Sequence, residues 1–395
     1  MSDANGFNQI PNVSWPNWLI EFDKEGNLTQ PDDMQALLNH LQQHHYSDII
    51  IASHGWNNDR NDAVSLYQQI LLSLAGNISA FMSANRPDLL FIGILWPSIW
   101  LKENDHDSLV PDGLASAYSD AGLPAENLTT VTRLLKQPQL AEDDLTQLSA
   151  SLSPMVAGFS DREGNQGHSD LMADDVHQLF SAFKISETIN LLSLYTMKSR
   201  AGLVGNGGVA RLLDQVVKAA APSRIHLAGH SFGCKVLLSA LCSVTFSGKV
   251  DSVLLLQPAI SYLSFASKLP DQDRSGAYAV APASRVKKAI YTTFSSLDNP
   301  LHTLYQLALR RQNDIGQRVI PGQPPSVFCS MGGYGPREAE QVLVHALPEP
   351  GQHFAEETQD AKLYAFDGSA NQIKEHSDVK SPLVIWLLCL LLESD

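Results

Sequence analysis

The sequence predicts an α/β protein built on one mostly parallel sheet with helices on both faces, and three observations carry that prediction. Short runs such as 48-DIIIASHGW-56, 88-DLLFIGILWPS-98 and 250-VDSVLLLQPAI-260 are apolar without alternation, as strands buried on both faces are. Segments with apolar residues three and four apart separate these runs, and that is helical spacing. In 224-RIHLAGHSFGCKVLLSAL-241 a buried strand passes into a buried helix through a serine set between two glycines.

The elements follow in order. The stretch 18-WLIEFDKEGNLT-29 reads as a strand and turn, with Gly26 and Asn27 at the turn. Pro31 and two aspartates then start a helix over 31-PDDMQALLNHLQQHH-45. The strand at 48 ends in a His-Gly loop, a helix covers 62–84, and the strand at 88 follows. From 102 to about 170 the chain is rich in Ser, Asp, Gly, Asn and Pro, with short helical patterns such as 128-LTTVTRLLKQ-137. We assign 1–101 and 196–395 to the core and 102–195 to an inserted cap. Helical spacing over 171–198 gives way to a glycine-rich turn, 202-GLVGNGG-208, and to the helix 209-VARLLDQVVKAA-220. After the central serine come a helix at 234–245 and strands in 250–260 and 286–296. The region 311–355, with 321-PGQPP-325 and 331-MGGYGPRE-338, reads as a second long excursion near the site. A last strand, 362-KLYAFDG-368, precedes a wholly apolar helix, 383-LVIWLLCLLL-392.

Composition narrows the function. The chain has 395 residues, 44% of them hydrophobic, enough for a large core. Its net charge of −15 is spread along the sequence, which repels phosphate backbones and anionic bilayers and excludes nucleic acid as a partner. The four cysteines, Cys234, Cys242, Cys329 and Cys389, have neither disulfide-framework nor metal-site spacing and read as small buried groups. The N-terminus lacks a secretory pattern, and the apolar run at 383–392 is far shorter than the ~20 residues that span a bilayer. A cytoplasmic location without stable membrane insertion is expected.

The chemistry centres on 229-GHSFG-233. In G-x-S-x-G the serine sits on a sharp turn above the sheet edge, and side chains in place of Gly229 and Gly233 would collide with the neighbouring strand and helix. The helix that starts after Ser231 aims N–H groups and partial positive charge at a developing oxyanion. A serine hydroxyl needs a histidine base, and that base needs a carboxylate. On a strand-elbow-helix scaffold these roles run in the order Ser, acid, His. This order leaves His302, His345, His353 and His376 of the thirteen histidines. Only His376 lies in a loop between a strand and the last helix. For the acid, Asp298 lies just past the carboxyl end of a buried strand, where catalytic groups of parallel sheets gather; Asp367 and Asp378 are the alternatives. Asp298-Asn299-Pro300 equally suits a helix cap. The loop 53-SHGWNND-59 supplies the second oxyanion donor, so the N–H groups of Trp56 and Phe232 are the expected pair. His54, Asn57, His230, Lys198 and Arg200 are candidates for contacting substrate. The mechanism calls for neither metal nor cofactor.

The His54-Gly55 loop, the elbow, an aspartate after a later strand and a histidine before the last helix together resemble the α/β-hydrolase superfamily. With 197-MKSRAGLVGNGG-208, the HGWN and GHSFG motifs are similar to those of a group of esterase- and lipase-like serine hydrolases, and the likeness covers most of 45–392. It implies the α/β-hydrolase fold with an inserted cap, Ser231, Asp298 and His376 as a catalytic triad, and Trp56 and Phe232 as oxyanion donors. The expected activity is hydrolysis of a small-molecule carboxylic ester through an acyl-enzyme. Two alternatives stand beside it. One is a lipase or phospholipase with an apolar lip at 95-LWPSIWL-101; the other is a non-catalytic binding protein.

Overall fold

The computed structural model describes residues 9–82, 88–98, 118, 123–137, 139–155, 173–182, 185–270, 272–306, 324, 326–340, 342–351, 362–370 and 372–393. The strands are β1 (Asn17–Glu21), β2 (Asp48–Ser53), β3 (Leu89–Leu95), β4 (Arg224–His230), β5 (Ser252–Leu256), β6 (Ile290–Phe294), β7 (Val342–Ala346) and β8 (Leu363–Asp367). They form one eight-stranded sheet in the order β1-β3-β2-β4-β5-β6-β8-β7, every neighbouring pair parallel.

Alternate residues of each strand feed two separate cores. Ile49, Ile51, Leu227, Val253 and Leu255 pack on one face, with α1 (Pro31–Gln43), α6 (Ile185–Val204), α7 (Ala210–Ala219) and α8 (Phe232–Cys242). Ile50, Ala228, Leu254 and Leu256 pack on the other, with α2 (Arg60–Phe81) and the terminal helix α10 (Pro382–Glu393). Burial on both faces is why these strands lack polar alternation, and each large side chain removed from water contributes about 1.5–3 kcal/mol. α10 is apolar nearly all round because it lies against both the sheet and α2. Between β3 and α6 lie α3 (Ala125–Leu135), α4 (Glu142–Leu152) and α5 (Ala173–Ala182); the short α9 (Met331–Tyr334) follows β6. No described helix is long and apolar enough to cross a membrane.

Two expectations change. The glycine-rich stretch at 202–208 does not break the helix. α6 runs into a π-helical turn, Gly205–Val209, and on into α7. Glycine weakens an isolated helix, but here the missing side chains let the turn press against α8 and against Gly26: a Cβ on Gly205 would lie 2.4 Å from the Val236 carbonyl oxygen. The region 311–355 is also more than an excursion, for its 342–346 segment is the edge strand β7, paired with β8.

The chain path leaves a crevice. From β2 it moves outward to β3, then returns to the other side of β2 as β4. Such a reversal, at the carboxyl ends of β2 and β4, is where open parallel sheets bind ligands. The register sets Ser53 beside Gly229 and His230 beside Leu256, which brings the ends of β2, β4 and β5 into one row.

Candidate active site

Ser231 occupies the turn from β4 into α8 with φ 53° and ψ −123°, left-handed backbone that a side chain seldom adopts. Close packing holds it there. A Cβ on Gly229 would lie 2.8 Å from the Cys234 nitrogen in α8, and one on Gly233 would lie 2.2 Å from the Ser53 carbonyl oxygen in β2. The chain therefore turns within one residue, and Ser231 is only 2% exposed.

Three side chains from distant parts of the sequence meet here. His376 Nε2 lies 2.8 Å from Ser231 Oγ, and His376 Nδ1 lies 2.8 Å from Asp298 Oδ2. A carboxylate accepts only, so Nδ1 carries the hydrogen and Nε2 is left to accept the serine proton. Asp298 is fully buried beyond β6, and its Oδ1 accepts the Leu301 N–H at 3.1 Å. Capping and pairing with histidine, which looked like rival roles in the sequence, use different oxygens of one carboxylate. Of the other three histidines after Ser231, two stay apart, His302 stacked on Tyr334 and His345 in β7 beside Tyr364, and His353 falls outside the described residues.

The loop after β2 abuts the serine. A Cβ on Gly55 would lie 2.9 Å from Ser231 Cβ and 2.8 Å from His230 Nδ1, so only glycine allows this approach. The Trp56 and Phe232 rings lie 6.3 Å apart. Neither residue's N–H donates to another described residue, and that of Phe232, first in α8, has no partner within its helix. The loop itself is tightly held. His54 N–H donates to Tyr67 Oη at 2.8 Å, Asn58 Nδ2 to the Trp56 carbonyl at 3.0 Å, and Asn57 N–H to the Ser98 carbonyl at 3.0 Å.

The candidates for substrate contact fare differently. His54 is buried and stacked on Trp96; its Nδ1 donates to the Gly55 carbonyl at 3.0 Å and its Nε2 accepts the Trp96 N–H at 3.3 Å. Burial pushes its pKa down to about 4, so it is a neutral brace of the loop. His230 Nε2 donates to the His376 carbonyl at 2.9 Å, and burial, then the nearby His376, push its pKa down to about 3. Lys198 is fully buried and donates to Tyr305 Oη at 2.6 Å, while Arg200 is buried and donates to the Pro97 carbonyl at 2.8 Å. His54, Lys198 and Arg200 are committed within the fold because their polar atoms, once buried, need internal partners, whereas His230 is half-buried and its Nδ1, beside Gly55, has no hydrogen-bond partner among the described residues. Asn57 alone is exposed, at φ 63°. Of the apolar lip at 95–101, Trp96 is buried, Leu95 lies in β3, and Ile99, Trp100 and Leu101 fall outside the described residues.

Gln257, just beyond β5, is a residue that the sequence reading missed. Its Nε2 donates to Asp298 Oδ2 at 3.0 Å and to the Glu375 carbonyl at 2.9 Å, from a backbone at φ 44°. The available signal was its place, a lone amide side chain directly after a buried strand at the sheet's carboxyl edge.

The same three residue types meet once more at the opposite end of the strands. His226 lies 2.7 Å from Ser252 Oγ and 3.0 Å from Asp48 Oδ1, and all three are fully buried. Arg224 adds an ion pair to Asp48 at 2.8 Å, and Ser252 Oγ donates to the Leu391 carbonyl at 3.3 Å. Ser252 lies in an ordinary strand without positive φ, sealed from solvent, so this group ties β2, β4, β5 and α10 together. An apolar cavity of about 40 Å³ beneath His54 and His230, among Leu66, Leu71, Phe91 and Leu256, is lined by neither Ser231 nor His376. No cluster of His, Cys, Asp or Glu able to hold a metal ion occurs among the described residues. No protein-family model, curated protein or solved structure matches the chain.

Proposed function

We propose that the protein is a serine hydrolase of the α/β-hydrolase fold that cleaves carboxylic esters through an acyl-enzyme. The observation that carries this reading is the hydrogen-bonded chain from Ser231 through His376 to Asp298, 2.8 Å at each link, ending on a serine held at φ 53°. Each role follows from position. Ser231 Oγ attacks the ester carbonyl carbon while His376 Nε2 takes its proton, and the buried Asp298 carboxylate stabilises the resulting imidazolium. The carbonyl oxygen becomes an oxyanion, for which the N–H groups of Trp56 and Phe232 are the donors, aided by the positive end of α8. Collapse breaks the bond to the alcohol oxygen, which leaves with the proton from His376. Water then attacks the acyl carbon as His376 Nε2 takes its proton; the bond from that carbon to Ser231 Oγ breaks, His376 returns the proton to Oγ, and the carboxylic acid leaves.

The reading favours a small-molecule ester over aggregated lipid, because Trp96, a leading residue of the lip that the lipase alternative needs, is stacked inside on His54. A fluorophosphonate probe tests the proposal: wild-type protein is expected to be labelled, and Ser231→Ala is not. Equal labelling of the two, or no labelling of native protein, removes the hydrolase reading and leaves the non-catalytic one. A series of p-nitrophenyl esters of graded acyl length then ranks substrates.

A further inference from the structure

The loop that carries His376 has no ladder or helix of its own to hold it, for it lies between β8 and α10. It is held instead from three adjacent strands. At the end of β4, His230 Nε2 donates to the carbonyl of His376 at 2.9 Å; after β5, Gln257 Nε2 donates to that of Glu375 at 2.9 Å; after β6, Ser295 Oγ donates to that of Ile373 at 2.8 Å. β4, β5 and β6 are neighbours in the sheet, so the three donors form a row along its carboxyl edge. Gln257 does something the other two do not, for its second amide hydrogen reaches Asp298 Oδ2 at 3.0 Å, the same oxygen that faces His376 Nδ1.

We propose that Gln257 is a positioning residue of the hydrolytic site, one amide that sets both the place of the catalytic base and the strength of its carboxylate partner; this rests on the hydrolase reading above. The amide orientation is fixed by chemistry, since the Glu375 carbonyl and the Asp298 carboxylate are both acceptors and only the NH₂ end can face them. Gln257 is itself over-determined. It is 1% exposed, and its own N–H donates to Thr293 Oγ1 at 3.0 Å across to β6. Such anchoring keeps a non-glycine residue at φ 44° and aims its side chain. A misplacement of about 1 Å in a base can slow a reaction on the order of 10²-fold. Removing a donor from Asp298 also concentrates its charge on His376, which favours the imidazolium.

The test is the rate of fluorophosphonate labelling of Ser231 as a function of pH, with kcat and KM on a p-nitrophenyl ester beside it. Gln257→Leu, and the unbranched Gln257→Met should the first fail to fold, are expected to slow labelling and lower kcat by roughly 10–100-fold. KM should stay near wild type, and the acid limb of the profile should move to higher pH. Ser295→Ala loses the contacts of Oγ to the Ile373 carbonyl and the Leu297 N–H but takes no donor from the Asp298 carboxylate, so it should slow labelling less and leave the acid limb in place. Folded Gln257 variants that label within about twofold of wild type at an unchanged pH profile overturn the inference, as does an equal movement of the limb in Ser295→Ala. Those results would leave the hydrolase reading standing. A wild-type protein that takes no probe sinks both.

Discussion

Asp298 carries two duties, one on each oxygen, and they separate by mutation. Asp298→Asn keeps the shape and an acceptor for Leu301 but no longer offers His376 a charged partner. Steady-state kinetics on a short-chain ester should show kcat lower by on the order of 10⁴, and near-wild-type turnover would transfer the acid role elsewhere. Gly55 gives a second measurement. In Gly55→Ala the new Cβ meets Ser231 Cβ at 2.9 Å and His230 Nδ1 at 2.8 Å, so the loop must retreat and take the Trp56 N–H with it. The expected loss in kcat is on the order of 10², that of one oxyanion donor, and unchanged kcat would remove Trp56 from that role. At this scale the sequence made the residues of the hydrogen-bonded chain legible, because elbow, order of roles and strand ends constrain one another. Gln257 stayed hidden for a physical reason: an amide has no chemistry of its own to flag it, and its importance lies in two contacts to groups 41 and 118 residues away. His54 and His230 stood among the candidates for substrate contact, yet His54 is a buried, neutral brace of its loop and His230 Nε2 is held by the His376 carbonyl.

Among the elements, the interior strands were readable because strands buried on both faces carry unalternated apolar runs, Ile49–Ile51 in β2, all of β3 but Gly93, and Val253–Leu256 in β5. β7 was not. It is short, lies at the sheet's edge with Val344 exposed, and sits among proline and glycine that signal turns. The π-helical turn at Gly205–Val209 escaped for the opposite reason, since local glycine preference points to a break and only contact with α8 reverses it. That contact predicts a stability effect. Gly205→Ala drives a Cβ to 2.4 Å from the Val236 carbonyl and 2.7 Å from Ser239 Cβ, both on the helix that Ser231 starts. Overpacking of this kind costs about 1–3 kcal/mol, to be read from denaturant unfolding, and a wild-type midpoint would show that the packing is loose.

For the molecule as a whole, buried neutral histidines set how stability responds to acid. His54 and His230 have folded pKa values of about 4 and about 3 against an ordinary 6.5. The unfolded chain therefore binds protons below pH 6.5 that the folded chain refuses, and stability falls as pH drops from there toward the folded values. Between pH 7 and pH 5 each histidine should contribute a loss of roughly 2 kcal/mol, visible as a falling midpoint in denaturant at low pH. Asp48 acts at lower pH: burial raises its pKa, but hydrogen bonds from His226, Arg224 and Ser47 outweigh burial and hold it below the ordinary value. Its stabilising share is present above the ordinary carboxylate range and is lost as pH falls through the folded value. A protein equally stable at pH 7 and pH 5 would contradict the burial of the two histidines. Both histidines brace the site, so the sheet edge that organises the fold also sets the chemistry. The most direct measurement of the central claim is fluorophosphonate labelling at neutral pH followed by mass mapping of the modified residue. The account predicts one equivalent of label on Ser231, absent in Ser231→Ala; label on another residue, or none on native protein, would contradict it.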